Sequence, residues 1–347
     1  MPRILLTGGS GFIAAHVLDT LLQRGHSVVT TVRSPEKAQR IRDAHPGVPP
    51  STLDFAIVPD IAQPNAFDKA VVSEPPFDIV IHTASPFHFR ATDVEEELLK
   101  PAINGTVGIL HAIKKHAPTV TRVVITSSFA AIIDVNKPAS YVYTDDDWNP
   151  IKREEAASNA RTGYRASKTF AEKAAWDFIE KEKPNFTLAT CNPPLVSGPV
   201  VHYLASLDAI NTSNERICQL ASGPGDAMAA RWPADEGTLW VDVRDIALAH
   251  ALAAEKPAAA NQRFFIVAGN FSNAEIVRCI ADGVPALRAR LPRGREWEEE
   301  GAGDGQSEVK GAFGFDNRKS REVLGLTYRT FRESVVDTVQ SVLPLLD

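Results

Sequence analysis

The chain alternates short continuous apolar runs with longer segments whose apolar residues recur every three or four positions. Runs that suit buried strands lie at 3–7, 27–32, 53–58, 77–82, 121–126 and 186–190. Helical spacing is clearest after the first run, at 93–116, where Pro101 marks a kink or a break, and from Tyr164 to Glu182. This order predicts an α/β Rossmann fold, a doubly wound parallel sheet with helices on both faces.

The alternation loosens after Gly198, and the later segments predict a smaller lobe. We expect a helix beginning at Trp240, a strand at 263–267, a helix opened by a Ser272–Glu275 capping box, a charged, glycine-rich loop at 294–311 and a last helix at 331–343. Residues 1–192 are predicted to form mainly the cofactor-binding domain, with 240–268 returning to it. Residues 193–347 are predicted to form mainly a smaller α/β lobe that binds the substrate.

A strand, a glycine turn and a helix open the chain in the order that dinucleotide binding requires. Gly8 is expected to make the tight turn, Gly11 to let the backbone approach a pyrophosphate, and Ala14 to allow close packing of helix on strand. Amides of the first helical turn and the helix dipole then hold the phosphates. The predicted contacts from this segment are Thr7, Gly8, Gly11, Phe12 and Ile13.

The second predicted strand ends in Arg33, about 20 residues past the glycines, where NAD-binding proteins place a carboxylate on the ribose hydroxyls. Lys37 follows one helical turn later. Because a guanidinium matches a phosphate with two parallel hydrogen bonds, the sequence predicts NADPH/NADP+ as the cofactor. The alternative is that both residues form only a solvated basic helix start.

Other strand ends supply further candidate cofactor contacts. Asp60, followed by Ile61, either touches the adenine amino group or caps the next turn. His82 is interpreted as a packed residue, and the small residues after it leave room for a cofactor across the sheet edge. The predicted contacts here are Thr83, Ala84 and Ser85, together with Pro193 and Val196 in the rigid segment after the sixth strand.

Tyr164 and Lys168 lie four residues apart, so a helix places the phenol and the ammonium on one face. An ammonium about 4 Å from a phenolate contributes on the order of 4 kcal/mol at an effective dielectric of about 20. That interaction predicts a Tyr164 pKa lowered from its ordinary value towards neutrality, as a proton donor and acceptor requires. Such a pair also occurs on helix surfaces without any function.

Ser127 and Ser128 follow the fifth predicted strand, at the sheet edge where ligands bind. Either is placed for chemistry, and Ser127 alternatively satisfies turn amides. The acidic triplet at 145–147 predicts no metal site, because three consecutive carboxylates point in different directions.

Composition favours small-molecule chemistry. The net charge of −6 over 347 residues, without a basic block, argues against nucleic-acid or anionic-membrane partners. The three cysteines are far apart, which predicts neither disulfides nor a zinc site and fits a reducing compartment. No leader precedes the first strand and no apolar run approaches the length of a membrane span, so we expect a cytoplasmic protein.

In this order the motifs resemble the extended short-chain dehydrogenase/reductases, over almost the whole chain. Those that carry the resemblance are Thr7-Gly8-x-x-Gly11-x-x-Ala14, Ser128, Tyr164-x-x-x-Lys168 and Trp240-Val-Asp-Val-Arg-Asp. Within that family the chain looks like the dihydroflavonol-reductase-like branch and its fungal methylglyoxal and ketone reductases. That likeness rests on the amino-acid sequence of the segments 11–14, 33–37, 59–61, 82–87 and 171–176.

The resemblance implies an NADPH-dependent carbonyl reductase that gives chiral alcohols. By analogy with the family, Ser128 polarises the carbonyl, Tyr164 donates the proton, and Lys168 lowers the tyrosine pKa and holds the nicotinamide ribose. Ser128 is preferred to Ser127 because the second serine of Thr-Ser-Ser is the catalytic one in the family.

An apolar pocket wall is expected from Phe87, Phe129, Leu195, Val196 and Trp232, each of which is otherwise a core residue. Such a wall favours ketones, aldehydes and keto esters over charged sugar nucleotides. The alternatives are a nucleotide-sugar epimerase or dehydratase, a steroid dehydrogenase-like enzyme, and a non-enzymatic NADP-sensing regulator. We expect a monomer or a homodimer.

Overall fold

The computed structural model describes residues 1–85, 93–138, 140–232, 234, 237–294, 297 and 313–346. Its strands are β1 (Arg3–Thr7), β2 (Ser27–Val32), β3 (Leu53–Ile57), β4 (Ile79–His82), β5 (Arg122–Thr126), β6 (Val142–Tyr143), β7 (Thr187–Asn192), β8 (Leu195–Ser197), β9 (Gly237–Asp242), β10 (Gln262–Phe265), β11 (Gly269–Ser272) and β12 (Gly314–Phe315). Its α-helices are α1 (Phe12–Gln23), α2 (Pro35–Ala44), α3 (Lys100–His116), α4 (Ala160–Glu182), α5 (Thr212–Ser222), α6 (Gly225–Arg231), α7 (Val243–Glu255), α8 (Asn273–Gly283) and α9 (Phe331–Val342).

Seven parallel strands form the main sheet, in the order β10-β7-β5-β4-β1-β2-β3. Helices α1 and α7 bury their apolar residues on one face, and α3 and α4 cover the other. All seven strands run in the same direction, so their carboxyl ends share one edge. The predicted doubly wound Rossmann fold is therefore confirmed.

A second, three-stranded sheet has the order β11-β9-β8. Helices α5, α8 and α9 pack with it into a separate apolar cluster that contains Trp240, Phe271 and Phe331. The Ser272–Glu275 capping box at the start of α8 is present, as the sequence predicts.

Three predicted boundaries need correction. Trp240 does not begin a helix: it lies in β9, paired with Gly269 and Leu195, and α7 starts only after Asp242, whose side chain accepts a hydrogen bond from the Arg244 amide. Alternating strand contacts on both sides outweigh the helical propensity of the segment.

The other two corrections concern long helices. Asn159 caps α4 by accepting a hydrogen bond from the Thr162 amide, so this helix starts at Ala160, before the predicted Tyr164. Pro101 does not separate two helices, because a π-helical turn at Glu95–Leu99 leads directly into the first turn of α3, which contains this proline. Among the described residues, no helix has both the length and the apolar character that crossing a bilayer requires.

Candidate active site

The glycine turn after β1 brings bare backbone to the carboxyl edge of the sheet. Gly8 has φ +78°, and a Cβ there would lie 3.1 Å from the Cα of Ala84. A Cβ on Gly11 would lie 3.2 Å from the Gly8 carbonyl oxygen. Side chains larger than hydrogen would fill this cradle, so the turn fits the close approach of a pyrophosphate to backbone amides.

Gly9 is a further constraint that the motif reading missed. A Cβ on Gly9 would lie 2.1 Å from the Thr30 Oγ1 of β2, so only glycine fits between the turn and that strand. The signal in the sequence was the Gly8-Gly9 pair itself. Nothing in the sequence alone shows that Thr30 points at it.

Hydrogen bonds tie the turn to the segment after β4. Thr7 Oγ1 lies 2.9 Å from His82 Nδ1 and accepts from the Ala84 amide at 3.1 Å. The Thr83 hydroxyl donates to the Thr7 carbonyl oxygen at 2.5 Å. Thr7, Thr83 and Ala84, three predicted cofactor contacts, therefore lie together. His82 is a packed residue. Its pKa is lowered to about 3, mainly by burial and to a smaller extent by the Lys168 charge.

Phe12 and Ile13 begin α1 and lie on the sheet side of it. Phe12 is buried against the core, and its ring meets the rings of His16 and His202 edge-on. Ile13 packs against the same core while remaining partly exposed. The first turn of α1 carries no acidic residue, so the positive end of its dipole is not offset there.

Arg33 and Lys37, the predicted contacts of a 2′-phosphate, follow β2. Arg33 directly follows β2 and is exposed, and Lys37 is half-buried in the first turn of α2. In the described part of the chain neither residue forms an ion pair, so both cationic groups are available to an anion.

Asp60 caps the turn that follows β3. Its carboxylate accepts from the Ala62 amide at 2.9 Å and from Gln63 Nε2 at 2.8 Å. The Gln63 hydrogen bond is the main cause of a lowered Asp60 pKa, with the Arg33 charge a smaller cause. Ile61 packs half-buried on the sheet face. An adenine contact from Asp60 stays a prediction.

Ser128, Tyr164 and Lys168 meet at the carboxyl end of β5. Ser128 Oγ accepts from the Ala130 amide at 3.1 Å and shares a hydrogen bond with the Tyr164 hydroxyl. Lys168 Nζ donates to Ser85 Oγ at 2.8 Å and lies 5.8 Å from the centre of the Tyr164 ring. The Ser128 and Tyr164 hydroxyls are therefore neighbours, and the Lys168 ammonium lies near the Tyr164 ring.

The pKa of Tyr164 moves in the direction opposite to the sequence prediction. Burial raises it, and the hydrogen bond with Ser128 offsets this only in part. The Lys168 ammonium donates to Ser85 Oγ at 2.8 Å. Burial lowers the pKa of Lys168 itself to about 8.

Ser127 is occupied elsewhere. Its hydroxyl donates to the Glu172 carboxylate, with both residues buried, rather than satisfying turn amides. Ser128 is therefore the serine whose hydroxyl faces Tyr164. Sequence reasoning treated Glu172 only as part of a family-like segment and missed this contact.

The predicted pocket residues fall in different places. Phe87 lies outside the described residues. Phe129 is 7% exposed and stacks on Phe265 at 5.1 Å between ring centres, so it is part of an aromatic core. The Pro193 carbonyl oxygen accepts from the Phe129 amide at 2.8 Å.

Leu195, Val196 and Trp232 belong to the side of the second sheet. Leu195 lines a narrow crevice with Trp240, Phe271 and Phe331, and Val196 is buried in β8. Trp232 follows α6, where its Nε1 donates to Gln219 Oε1 at 3.1 Å and Arg216 stacks on its ring. Their contact with a substrate stays a prediction.

Among the described residues, no cluster of three or more His, Cys, Asp or Glu side chains is arranged to hold a metal.

Residues 4–268 match the model of the NAD dependent epimerase/dehydratase family. The chain belongs to this family. The predicted resemblance to the extended short-chain dehydrogenase/reductases and their fungal reductases is thereby confirmed, since relatives of that branch match along the whole chain.

Three relatives illustrate the match. The ketoreductase azaE of Aspergillus niger is 45% identical, over 98% of this chain and 97% of that protein. The NADPH-dependent methylglyoxal reductase GRE2 of Saccharomyces cerevisiae is 35% identical, with 98% of each chain covered. The crystal structure of Gre2 from Candida albicans in complex with NADPH superposes with a TM-score of 0.88 at 37% identity, covering 99% of each chain.

Proposed function

We propose that this protein is an NADPH-dependent carbonyl reductase that converts ketones, aldehydes or keto esters into alcohols. The observation that carries the proposal is the paired hydroxyls of Ser128 and Tyr164, with Lys168 one helical turn further on, beside the glycine turn. Relatives named as NADPH-dependent reductases or ketoreductases, matched over nearly their full length, support the same reaction class.

The cofactor contacts follow from the carboxyl edge. Amides of the first turn of α1, approached past the bare glycine turn, would bind the pyrophosphate, and Arg33 with Lys37 would bind the 2′-phosphate. Lys168 and Ser85, joined by a hydrogen bond, would hold the nicotinamide ribose. When bound, NADPH supplies the hydride for the substrate carbonyl carbon.

The two hydroxyls divide the remaining work. Tyr164 donates a proton to the carbonyl oxygen, and its burial-raised pKa keeps the phenol protonated in the resting site, as an acid must be. Ser128 orients and polarises the same oxygen by hydrogen bonding. Lys168, with a pKa of about 8, stays mainly protonated at neutral pH and stabilises negative charge that develops on Tyr164.

We place the substrate between the cofactor-binding domain and the smaller lobe, against an apolar wall that includes Leu195 and Trp232. Apolar surface there would favour uncharged carbonyl compounds over sugar nucleotides. The domain division at residue 192, the cytoplasmic location, the absence of nucleic-acid partners and the monomeric or dimeric state stay predictions of the sequence.

The test is NADPH consumption, followed by absorbance, over a panel of aldehydes, diketones and keto esters. Steady consumption with formation of the matching alcohol is expected for at least one class. The matched control is the same assay with Tyr164→Phe. Consumption that is absent for every carbonyl, or that persists in the variant at the original rate, would contradict the proposal.

A further inference from the structure

A buried carboxylate lies behind the candidate active site. Glu172 is 2% exposed, on α4, and each of its oxygens accepts several hydrogen bonds. Oε1 accepts from Arg263 Nε at 2.6 Å and Thr190 Oγ1 at 3.1 Å, and Oε2 accepts from Asn192 Nδ2 at 2.6 Å and from Ser127. These four donors come from β7, β10 and the residue after β5, so one side chain joins three adjacent strands to α4.

Glu172 continues the helical stripe that carries the catalytic pair. Tyr164, Lys168 and Glu172 are spaced by four residues on α4, so they follow one another along the same side of the helix. Anchoring the third member of the stripe to the strand ends therefore constrains where the first two lie.

A single residue connects the carboxylate to Ser128. Asn192 is fully buried, and its Nδ2 donates both to Glu172 Oε2 at 2.6 Å and to the Ser128 carbonyl oxygen at 3.3 Å. The neighbouring Ser127 hydroxyl is held by the same carboxylate. The backbone that presents the Ser128 hydroxyl is thus tied from two sides to the helix that presents Tyr164.

Arg263 balances the negative charge of Glu172. Its guanidinium, also buried, extends the network to the Asp145, Asp147 and Ala131 carbonyl oxygens, and it stacks on Trp148 at 3.8 Å. The loop that follows β6 is therefore fastened to the same point. Breaking such a pair on one side alone leaves a buried charge without its partner.

We propose that Glu172 is a positioning residue, which fixes the Ser128 and Tyr164 hydroxyls on one substrate oxygen by tying α4 to the strand ends through Asn192. This inference rests on the proposed carbonyl reduction. Because a displacement of about 1 Å costs on the order of 100-fold in rate, loosening the tie should lower turnover. The glycine turn and Arg33, the proposed phosphate contacts, lie outside the network, so NADPH affinity should change far less than kcat.

Glu172→Gln and Asn192→Leu test the proposal in different ways. Glutamine keeps the shape of Glu172 but replaces one carboxylate oxygen by an NH2 group. In either orientation that NH2 group faces an N–H donor, Arg263 Nε or Asn192 Nδ2, so one hydrogen bond is lost. Asn192→Leu cuts the link to Ser128 and leaves the Glu172–Arg263 pair in place. Each variant should lower kcat by about 10- to 100-fold, while the NADPH dissociation constant, from fluorescence titration, stays within about twofold.

Arg122→Lys is the control for lost stability. Arg122 is 9% exposed at the opposite end of β5 and donates to Thr187 and to the Ala253 and Lys256 carbonyl oxygens. Lysine cannot make all of these bonds, so Tm should fall while kcat, measured well below the transition, is unchanged.

The double variant Glu172→Gln/Arg263→Met separates positioning from charge balance. It removes the guanidinium that Glu172→Gln leaves without its anionic partner, and kcat should stay low whatever the change in Tm. Recovery of kcat together with Tm would overturn the proposal, as would a kcat within about twofold of the original in Glu172→Gln. If Glu172→Gln does not fold, a normal kcat in Asn192→Leu would likewise overturn the proposal.

Failure of this inference differs from failure of the proposed function. An active original protein, an inactive Tyr164→Phe and a normal Glu172→Gln would reject only the positioning role. No NADPH-dependent reduction by the original protein, or an active Tyr164→Phe, would reject the reaction on which it rests.

Discussion

The two edges of the seven-stranded sheet hold similar residue types in opposite states. At the amino edge, Arg24 and His26 both bind Glu255, and Arg122 is surrounded by neutral oxygen acceptors. At the carboxyl edge, Arg33 and Lys37 have no ion-pair partner among the described residues, and Lys168 donates to the Ser85 hydroxyl. The arginines at the amino edge are bonded within the fold, whereas Arg33 and Lys37 at the carboxyl edge are available to a ligand.

Concavity alone would point to the wrong edge. A broad cleft of about 730 Å³ opens at the amino edge, lined by His26, Asp78, Arg122 and Glu255. We assign the chemistry to the carboxyl edge because the paired hydroxyls and the bare glycine backbone are there. The difference teaches that cations without an ion-pair partner and bare backbone locate an anion site better than the size of a cleft.

The largest effect is expected from removing the Tyr164 hydroxyl at the carboxyl edge. Tyr164→Phe removes the proposed proton donor and should lower kcat by about 10²- to 10⁴-fold, with little change in NADPH affinity. Tyr328→Phe is the control, because that phenol bonds Ser320 at 2.7 Å outside the site and should leave kcat near its original value. Near-normal turnover of Tyr164→Phe would refute the proton-donor role.

The next largest effect tests whether Arg33 binds the 2′-phosphate of NADPH. Arg33→Asp should raise the Michaelis constant for NADPH by about 10- to 100-fold, since a charge-assisted hydrogen bond contributes about 1.5–3 kcal/mol. The Michaelis constant for NADH should change far less. Arg42→Asp, in the last turn of α2 and stacked on Phe55, is the matched control. Equal losses for both cofactors would show that Arg33 does not contact the 2′-phosphate.

The sequence predicted the elements that repeat a local rule. Gly8, Gly11 and the Tyr164–Lys168 spacing are local patterns, so the glycine turn and the helix that carries Tyr164 and Lys168 were foreseeable. The direction of the Tyr164 pKa was not, because it depends on burial and on the hydrogen bond with Ser128.

The Glu172 network also could not be read from the sequence. Its carboxylate binds residues 18, 20 and 91 positions away in the chain, two on β7 and one on β10. Only the sheet order brings those strand ends together. The same holds for Gly9, whose constraint comes from Thr30 on the neighbouring strand.

A smaller effect concerns the lowered Lys168 pKa. Because the ammonium form is the one that supports catalysis, kcat should fall as pH rises through about 8. Stability cannot explain the fall: between about 8 and 10.5 the unfolded chain holds this proton more tightly than the folded one, so the contribution of this group to stability rises with pH there. In Lys168→Arg, which stays charged, kcat should be lower but should not fall across the same range. An unchanged inflection in that variant would assign it to another group.

The smallest effect compares two glycines with positive φ, one at each edge. Gly8 has φ +78° and Gly25, in the turn before β2, has φ +84°. Alanine at either position should lower the free energy of unfolding by about 1–3 kcal/mol, measured by urea denaturation, because L residues are strained there.

The two alanine variants should differ in NADPH affinity. The new methyl group of Gly8→Ala meets the Ala84 backbone at 3.1 Å, which displaces the cofactor turn, whereas that of Gly25→Ala meets only the end of the Met1 side chain. Gly8→Ala should therefore weaken NADPH binding several-fold, by about 1 kcal/mol, and Gly25→Ala should not. Equal affinities in fluorescence titration would mean that the bare backbone of the turn is needed for folding and not for the cofactor, and the two edges would then differ in their side chains alone.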